Sequence, residues 1–561
     1  DNNGVLGHGG QTLGFQSDGG YIPDKDVTIV MWSNAAESNV SRTIVPGIAS
    51  LVAGGDQAGQ TDQTGQVALP RFEPLDECFA QPPEDLPVDL DMDCGYVVVP
   101  ESRSGDSSRE VKLGVTRINS GQGTANSPLF MLAGGPGQAQ ISPEFFSLLQ
   151  TELLGGILES RDIVVVEQRG TEHTDPFLNC PEASSAAWDV YEQGLTGDDA
   201  TEYEIGTVQA CISRFEEQGI NFDNFNSVEN AADVNAVREA LGYEQIIYYG
   251  ASYGSQLGQH VMRDFPEILE GVVLDGANSL SRKSWVEDRA LDAQWGLDNL
   301  TALCEADEKC AEAYDIPALV DAALALFDDG PLPYAYTDPD DASLTVEVEV
   351  TAQDMADYIY GQQGNKIGTM SLPSILSGLI EGGADQVAEF LGSAKAGELI
   401  ASRSATKDSI TLLMHLAMVC SDDPVHSADE VILDGAGPYA ALHAQSLGEY
   451  YETLCSLINV AELPDSTDVD VTTDVPTLLL TGDLDVATPT FRSQIVADSL
   501  PDATLVTFPG TTHVQIGGIN LCAAQVMTQF VLDPTAELDT SCVEETTFLG
   551  FVLPDGSMSQ E

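Results

Sequence analysis

The chain is 561 residues long, enough for two to four domains of ordinary size and for a large buried core. Hydrophobic residues make up 43% of it and charged residues 20%, so the composition is that of a globular protein rather than a disordered tail or a fibrous repeat. Acidic residues outnumber basic ones 90 to 21, and the resulting net charge of −69 repels phosphate backbones, which excludes nucleic acid as an expected partner.

The N-terminal segment, residues 1–55, carries the first recognisable pattern. Residues 5–34 read as a glycine-rich turn, a strand, a Pro/Asp turn and an alternating strand over 27–32, and a helix is expected over about 38–53. The Gly-His-Gly-Gly box and the strand ending in Ser-Asn resemble the C-terminal end of the serine β-lactamase and penicillin-binding-protein fold. The catalytic SxxK and YxN motifs of that family lie before the box, and neither occurs there in this sequence. We therefore interpret the segment as a remnant of a truncated upstream domain, or of a longer fused precursor, without chemistry of its own. A linker is expected over 56–74.

The main part of the chain follows an alternating pattern of strands and helices. From about residue 94, short β-branched runs alternate with helical stretches, which is typical of a doubly wound, mostly parallel α/β sheet. The predicted strands are 96–99, 111–118, 129–133, 163–167, 246–249, 271–275, 477–481 and 504–508. Between them, over 278–474, helical periodicity rich in Ala and Leu replaces the strand signals. The sequence thus predicts a sheet domain in two parts, 75–277 and 475–561, the second with a C-terminal extension, and a helical cap over 278–474.

Cysteine usage predicts disulfides. The ten cysteines are an even number and show neither CxxC spacing nor a Cys/His cluster of zinc type. Connectivity does not follow from sequence alone, but pairing neighbours in order would close short loops of the kind found in exported proteins. The pairs would be 78–94, 180–211, 304–310, 420–455 and 522–542. We therefore expect a secreted or periplasmic protein; the alternative is ten reduced, buried thiols in a cytosolic enzyme.

A candidate nucleophile lies directly after the strand predicted over 246–249. Ser252 is flanked by Gly250 and Gly254 and is followed by a predicted helix, the strand–turn–helix setting of a GxSxG nucleophile elbow. Small neighbours let a serine on such a sharp turn expose its hydroxyl at the helix N-terminus. We therefore predict that Ser252 is a catalytic nucleophile.

A serine nucleophile needs a base and an orienting carboxylate, which follow it in the order acid, then histidine. Only His513, of seven histidines, follows a late strand in the required way, and we predict that it is the base. Asp483 and Asp485 compete for the role of the acid, and we favour Asp485 because it precedes Thr-Pro. Asp275 is a weaker candidate, whose alternative role is to cap the turn that enters the cap domain.

The oxyanion hole is expected to use two backbone amides. One is that of Tyr253, directly after the nucleophile, and the other belongs to Gly135, in the Gly-Gly-Pro-Gly loop after the strand predicted over 129–133. Glycines there allow the backbone to approach a substrate carbonyl. An ordinary Gly/Pro turn is the alternative reading of that loop.

Several stretches together resemble one family. They are LAGGPGQ (132–138), DIVVVEQRGTEHTDP (162–176), GASYGSQLG (250–258), FPEILEGVVLDG (265–276) and GDLDVATP (482–489). The set resembles the proline-iminopeptidase-like serine peptidases and, more closely, their secreted tripeptidyl-aminopeptidase branch, over about residues 75–545. The resemblance implies an α/β-hydrolase fold and the release of short peptides from free N-termini under a helical cap. Ala133 stands where proline iminopeptidases commonly carry His, which argues against strict proline specificity.

Three functions are compatible with these residues. The first is a secreted serine exopeptidase, the second is a carboxylesterase with the same triad, and the third is a catalytically silent binding protein. The expected partner is a small peptide or ester substrate. No apolar run approaches the roughly 20 residues that cross a bilayer, so no membrane partner is expected. No metal ion or organic cofactor is expected either.

Overall fold

The computed structural model describes residues 6–12, 15–22, 27–33, 69–83, 90–105, 108–122, 126–149, 154–282, 284–406 and 410–560. The chain divides into two compact units, Asp1–Arg71 and Phe72–Glu561. We describe each unit by itself.

The first unit contains a three-stranded antiparallel sheet. Its strands are β1 (Leu6–Thr12), β2 (Phe15–Ile22) and β3 (Val27–Ser33), with β2 in the centre. Strand β3 is close to its prediction, whereas the glycine-rich stretch expected as a turn lies inside β1, where Gly7 pairs with Gly20. The predicted helix over 38–53 lies outside the described residues. The likeness to the β-lactamase fold stays a prediction.

The second unit is built around a nine-stranded sheet. Seven of its strands precede the predicted cap, and two follow it. Their bounds are β4 (Arg71–Pro74), β5 (Met92–Pro100), β6 (Glu110–Ile118), β7 (Leu129–Leu132), β8 (Ile163–Val166), β9 (Ile246–Ala251), β10 (Leu269–Asp275), β13 (Thr477–Gly482) and β14 (Ala503–Phe508). The order across the sheet is β14-β13-β10-β9-β7-β8-β6-β5-β4. Neighbouring strands from β14 to β8 are parallel, and β6 and β5 are antiparallel additions at one edge.

The doubly wound, mostly parallel sheet is therefore confirmed, and all eight predicted strands are present. Alternate residues of a strand point to opposite faces of the sheet, and both faces of this sheet are buried against helices. In β9, Tyr248 packs in a cluster with Leu257, and its neighbour Ile247 packs in another cluster with Met527. The last four residues of the predicted linker differ from the prediction: they form edge strand β4, where the Glu73 carboxylate accepts a bond from Lys112 Nζ at 2.9 Å.

Sixteen α-helices lie in the described part of this unit. They are α1 (Pro143–Ser147), α2 (Gly155–Leu158), α3 (Pro181–Ser184), α4 (Ala186–Gln193), α5 (Asp198–Glu217), α6 (Ser227–Leu241), α7 (Tyr253–Asp264), α8 (Arg289–Ala306), α9 (Glu308–Ala313), α10 (Ile316–Ala325), α11 (Ala352–Gln363), α12 (Lys366–Ser402), α13 (Leu412–Asp422), α14 (Pro438–Ile458), α15 (Thr490–Ser499) and α16 (Leu521–Leu532). Helices α8 to α14 lie in the predicted cap.

The cap also contains a hairpin that the sequence prediction missed. Strands β11 (Leu332–Thr337) and β12 (Thr345–Val350) pair antiparallel. In β12 the side chains of Val346, Val348 and Val350 are buried, and the residues between them are exposed. The two-residue alternation that signals a half-buried strand was therefore present in the sequence.

The C-terminal extension returns to the cap, where Tyr314 donates a hydrogen bond to the Val552 carbonyl at 2.8 Å.

Five disulfides confirm the predicted pairing. They join Cys78 to Cys94, Cys180 to Cys211, Cys304 to Cys310, Cys420 to Cys455, and Cys522 to Cys542. Each closes a loop of 6 to 35 residues, so every bridge stabilises a local segment. Among the described helices, none has the length and apolar character needed to cross a membrane.

Candidate active site

Ser252 occupies a strained turn between β9 and α7. Its backbone lies at φ 54° and ψ −120°, which is unusual for a residue with a side chain. The turn is possible because Gly250 and Gly254 face each other: a Cβ on Gly250 would clash with the Gly254 carbonyl, and one on Gly254 would lie 2.7 Å from the Ala133 carbonyl. The Ser252 amide donates to the Asp275 carbonyl at 2.8 Å, which fixes the turn against β10. The elbow geometry expected from the GxSxG motif is present.

His513 is paired with Asp485. The two lie in the loops after β14 and β13, and His513 Nδ1 is 2.8 Å from Asp485 Oδ2. The Asp485 carboxylate is fully buried and accepts hydrogen bonds from the amides of Ala487 (2.9 Å) and Thr488 (2.8 Å) and from the Thr488 hydroxyl (2.6 Å). Because a carboxylate only accepts hydrogen bonds, this contact places a proton on Nδ1 and leaves Nε2 of a neutral imidazole able to take one up.

The two competing carboxylates bind elsewhere. Asp483 accepts from the Gly510 amide at 2.7 Å and holds the loop after β14. Asp275 accepts from the amides of Gln515 (2.7 Å) and Ile516 (2.9 Å), so it anchors the loop that carries His513. The expectation that Asp275 caps the turn into the cap domain is wrong, because its side chain points back across the sheet edge to that loop. Burial raises the pKa of Asp275 to about 6.

Opposing effects act on the pKa of His513. Burial by itself lowers it, whereas the charge and hydrogen bond of Asp485, together with the charge of Asp275, raise it. The net result is a pKa above the ordinary histidine value. Such a histidine is a somewhat stronger base than a free one, which suits proton abstraction from a hydroxyl.

The Gly-Gly-Pro-Gly loop after β7 lies against the serine. A Cβ on Gly134 would lie 2.8 Å from Ser252 Cβ and 3.4 Å from its Oγ, so only glycine fits. Gly135 follows with φ 109°, in the region that favours glycine. Within the described residues, neither the Gly135 amide nor the Tyr253 amide donates a hydrogen bond to a protein acceptor. Two unused backbone donors are therefore present next to Ser252.

The imidazole and the serine turn both lie beside the end of β10. Gly276, directly after β10, has φ 71°, and a Cβ there would lie 3.2 Å from His513 Cε1 and 2.9 Å from Thr488 Oγ1. The preceding residue, Asp275, accepts the Ser252 amide hydrogen bond. Ser252 Oγ itself makes no hydrogen bond within the described part of the chain. Catalytic hydrogen bonds to a nucleophile often tighten only when substrate is bound.

A cavity of about 600 Å³ opens beside Gly135. Cap residues supply most of its aromatic wall, with Trp285, His415 and Tyr451 among them, and Glu204 contributes a carboxylate. The volume is within the range of ordinary small-molecule sites. In the described ranges, no group of three or more His, Cys, Asp or Glu side chains is arranged to hold a metal ion.

A buried charge cluster joins the start of the cap to the loop that carries Asp485. Arg282 donates to Asp288 at 2.8 Å, and Arg492, in α15, donates to Asp288 at 2.7 Å and to Asp292 at 3.0 Å. Removing one member would leave a buried charge without its partner, which is costly. The cluster therefore fixes the base of the cap relative to the strand end that carries Asp485.

Three residues at the site were not singled out from the sequence. Thr488 donates to Asp485 and lies 3.1 Å from His513 Nδ1, and its place three residues after Asp485 is a usable signal. Glu167 accepts from the amides of Gln140 and Ile141 and so holds the glycine-rich loop. His415, in α13, holds the Pro136 carbonyl, and it gave no sequence signal because it follows no late strand.

The chain is similar in sequence to several known proteins. YuaR, a putative hydrolase of Escherichia coli, is 25% identical over 234 residues, which are 40% of this chain and 44% of that protein. The tripeptidyl aminopeptidase of Streptomyces coelicolor is 27% identical over 36% of this chain and 39% of its own length. The chain thus spans less than half the length of these relatives. The serine protease Hip1 of Mycobacterium tuberculosis is 23% identical over 79% of this chain and 85% of its own.

Proline iminopeptidase from Mycobacterium smegmatis covers 78% of this chain and 98% of its own, with 16% identity and a TM-score of 0.36. The family model described as the alpha/beta hydrolase fold matches residues 127–516, well over half of the chain and all of the site described above. The chain therefore belongs to the α/β hydrolase fold family.

Proposed function

We propose that this protein is an exported serine exopeptidase that releases short peptides or single residues from free N-termini. The observation that carries the proposal is the hydrogen bond between the buried Asp485 and His513. Both residues follow parallel strands of the sheet in which β9 leads into Ser252. Two named relatives, the tripeptidyl aminopeptidase and the serine protease Hip1, support peptide substrates. The five disulfides support export, because such bonds persist in oxidising compartments.

The proposed mechanism assigns one task to each group. Ser252 Oγ attacks the scissile carbonyl while His513 Nε2 removes its proton. Asp485 holds the imidazole in the required tautomer and stabilises the imidazolium. The amides of Gly135 and Tyr253 bind the oxyanion. His513 then protonates the leaving amine, and water, activated by the same imidazole, releases the acyl group from the serine.

The cap cavity supports a small substrate with a free end. Its volume accommodates a few residues. The carboxylate of Glu204 and the aromatic rings beside it are groups that attract a substrate ammonium.

The experiment is a substrate panel with matched ends. Aminoacyl and tripeptidyl p-nitroanilides are compared with their N-acetylated forms and with p-nitrophenyl esters, and Ser252→Ala is the control for background hydrolysis. We expect cleavage of the free-amine amides, a large loss on acetylation, and no turnover by the Ser252→Ala variant. Ester turnover without amide cleavage would identify a carboxylesterase with the same triad and overturn the peptidase assignment.

A further inference from the structure

One cap helix contacts both sides of the proposed oxyanion hole. Helix α13 is buried along most of its length, and its residues come from the part of the sequence predicted as the cap. Its N-terminal end lies at the loop that carries Gly135, and its C-terminal end lies near the side chain of Tyr253.

At the first end, His415 holds the loop that carries Gly135. Its Nδ1 lies 2.9 Å from the Pro136 carbonyl and its Nε2 lies 2.6 Å from the Tyr451 hydroxyl. A carbonyl only accepts, so Nδ1 carries the proton and Nε2 accepts from the tyrosine. Next to this contact, the Thr411 amide donates to the Gly137 carbonyl at 2.9 Å. Cap residues therefore hold the loop at two consecutive carbonyls, those of Pro136 and Gly137.

At the second end, Asp422 holds Tyr253. The Ser227 hydroxyl is 2.7 Å from the Tyr253 hydroxyl and is also hydrogen-bonded to the Asp422 carboxylate. Ser227 is fully buried, so this chain of hydroxyls is not replaced by solvent. Met418, one turn before Asp422, places its sulfur 3.4 Å from the same tyrosine hydroxyl. Fixing the side chain of Tyr253 fixes the first residue of α7, whose amide is the second proposed donor.

We propose that helix α13 positions the oxyanion hole, with His415 acting on Gly135 through the Pro136 carbonyl and Asp422 acting on Tyr253 through Ser227. Both are positioning residues, since neither touches the reacting atoms. The inference rests on the proposed function, because it takes Gly135 and Tyr253 as the donors. A donor displaced by a fraction of an ångström binds a developing oxyanion poorly and binds the ground-state substrate almost as well. The expected signature is a loss in kcat with little change in KM.

The test uses substitutions that keep size and change hydrogen bonding. His415→Phe keeps a ring but cannot donate to Pro136, whereas the amide nitrogen of His415→Asn can take the place of Nδ1 and restore that bond. Ser227→Ala breaks the bridge to Tyr253 at the other end. Val419→Ala is the matched control, since it truncates a buried residue of the same helix that takes no part in either chain.

We measure kcat and KM on the amide substrate, the rate of labelling by a fluorophosphonate, and the melting temperature. We expect His415→Phe to lower kcat and the labelling rate about 10- to 100-fold, a part of the 10²- to 10³-fold that loss of a whole donor costs. In kcat, His415→Asn should stay within about threefold of the wild type and Ser227→Ala should lose about tenfold. KM should change little in Ser227→Ala, because Ser227 does not line the cavity, whereas the two His415 variants are compared with each other by kcat. Val419→Ala should lower the melting temperature and leave kcat unchanged.

Three outcomes would each overturn the inference. The first is a wild-type kcat in His415→Phe, and the second is an equal loss of kcat in His415→Phe and His415→Asn. The third is a loss of kcat in Val419→Ala as large as that in His415→Phe. If His415→Phe does not fold, Ser227→Ala decides, and full kcat in that variant would count against the proposal. A wild-type protein that neither cleaves substrate nor reacts with the fluorophosphonate would instead refute the proposed function, so the two failures are distinguishable.

Discussion

The imidazole side and the oxyanion side of the candidate site are held in different ways. His513 and Asp485 are 28 residues apart, and both follow strands of one sheet. The Gly-Gly-Pro-Gly loop, by contrast, is held by His415, which is 279 residues from Pro136 and lies in the cap. The acid–base pair is thus held by two loops of the sheet domain, whereas the position of the oxyanion loop also depends on the position of the cap. Substitutions in the acid–base pair should therefore remove most of the activity, whereas substitutions around the oxyanion loop should lower kcat by smaller factors.

The largest effect is expected from Asp485→Asn. The asparagine oxygen should take the place of Oδ1, which accepts from the amides of Ala487 and Thr488, so that the NH2 group faces His513 Nδ1 and donates to it. The imidazole is then held in the wrong tautomer and loses its stabilising charge. We expect kcat to fall about 10³- to 10⁴-fold, in line with such substitutions in other serine hydrolases. Asp483→Asn, which changes a carboxylate two residues away with no contact to His513, should cost less than tenfold. Steady-state kinetics that rank the two variants the other way would contradict the assignment of the acid.

Gly134→Ala tests the contact between the oxyanion loop and the nucleophile. The new methyl group would lie 2.8 Å from Ser252 Cβ and 2.9 Å from the Ala251 carbonyl, so the loop or the serine must move. A displacement of about 1 Å in a catalytic group costs about 100-fold in kcat. Gly206→Ala, in helix α5 with open space around it, is the control and should leave kcat as it is. Wild-type kinetics for Gly134→Ala would show that the loop does not need to approach Ser252.

Thr488→Val tests the hydroxyl between Asp485 and His513. Valine has a similar shape but cannot donate to Asp485 Oδ2, so the carboxylate is less firmly held and its charge is less compensated. We expect kcat to fall about tenfold. A less compensated carboxylate raises the pKa of His513, so the acid limb of the kcat/KM profile should move to higher pH. Thr488→Ser should restore both, and a profile shifted to lower pH would contradict this role for the hydroxyl.

The smallest effect concerns the anchor that the sheet itself gives to the oxyanion loop. Burial raises the pKa of Glu167 to about 8, from an ordinary value near 4.5. The folded state then holds this proton more tightly than the unfolded state, so stability falls as pH rises from about 4.5 to 8. Glu167→Gln cannot ionise and should flatten that decline by a few degrees of melting temperature. Equal slopes for both proteins between pH 5 and pH 8 would refute the prediction.

The two sides also differ in how far sequence could predict them. The elbow at Ser252 and the loops of Asp485 and His513 follow local rules, because each is a short motif at the end of an apolar strand. The contact of Asp275 with the amides after His513 could not be predicted, since it depends on the register of distant loops. His415 was missed for the same reason: nothing in its own helix indicates that a carbonyl near residue 136 faces it.

The hairpin of β11 and β12 was not predicted, for a different reason. Its signal was local, an alternation of Val with Glu and Thr in six residues, but it lies within a long helical region. A short strand signal inside a region of another period is easily outweighed. The disulfides match the pairing of neighbours in order because each bridge lies within one local segment, although the sequence alone left other pairings open.

The most direct test of the central claim is to find the residue that a fluorophosphonate modifies. The intact protein is treated with the reagent, digested and mapped by mass spectrometry, beside the Ser252→Ala and His513→Ala variants. We predict a single adduct on Ser252 in the wild type, none in Ser252→Ala, and labelling at least 100-fold slower in His513→Ala. An adduct on another serine, or equal labelling in all three proteins, would contradict the assignment of the nucleophile and its base.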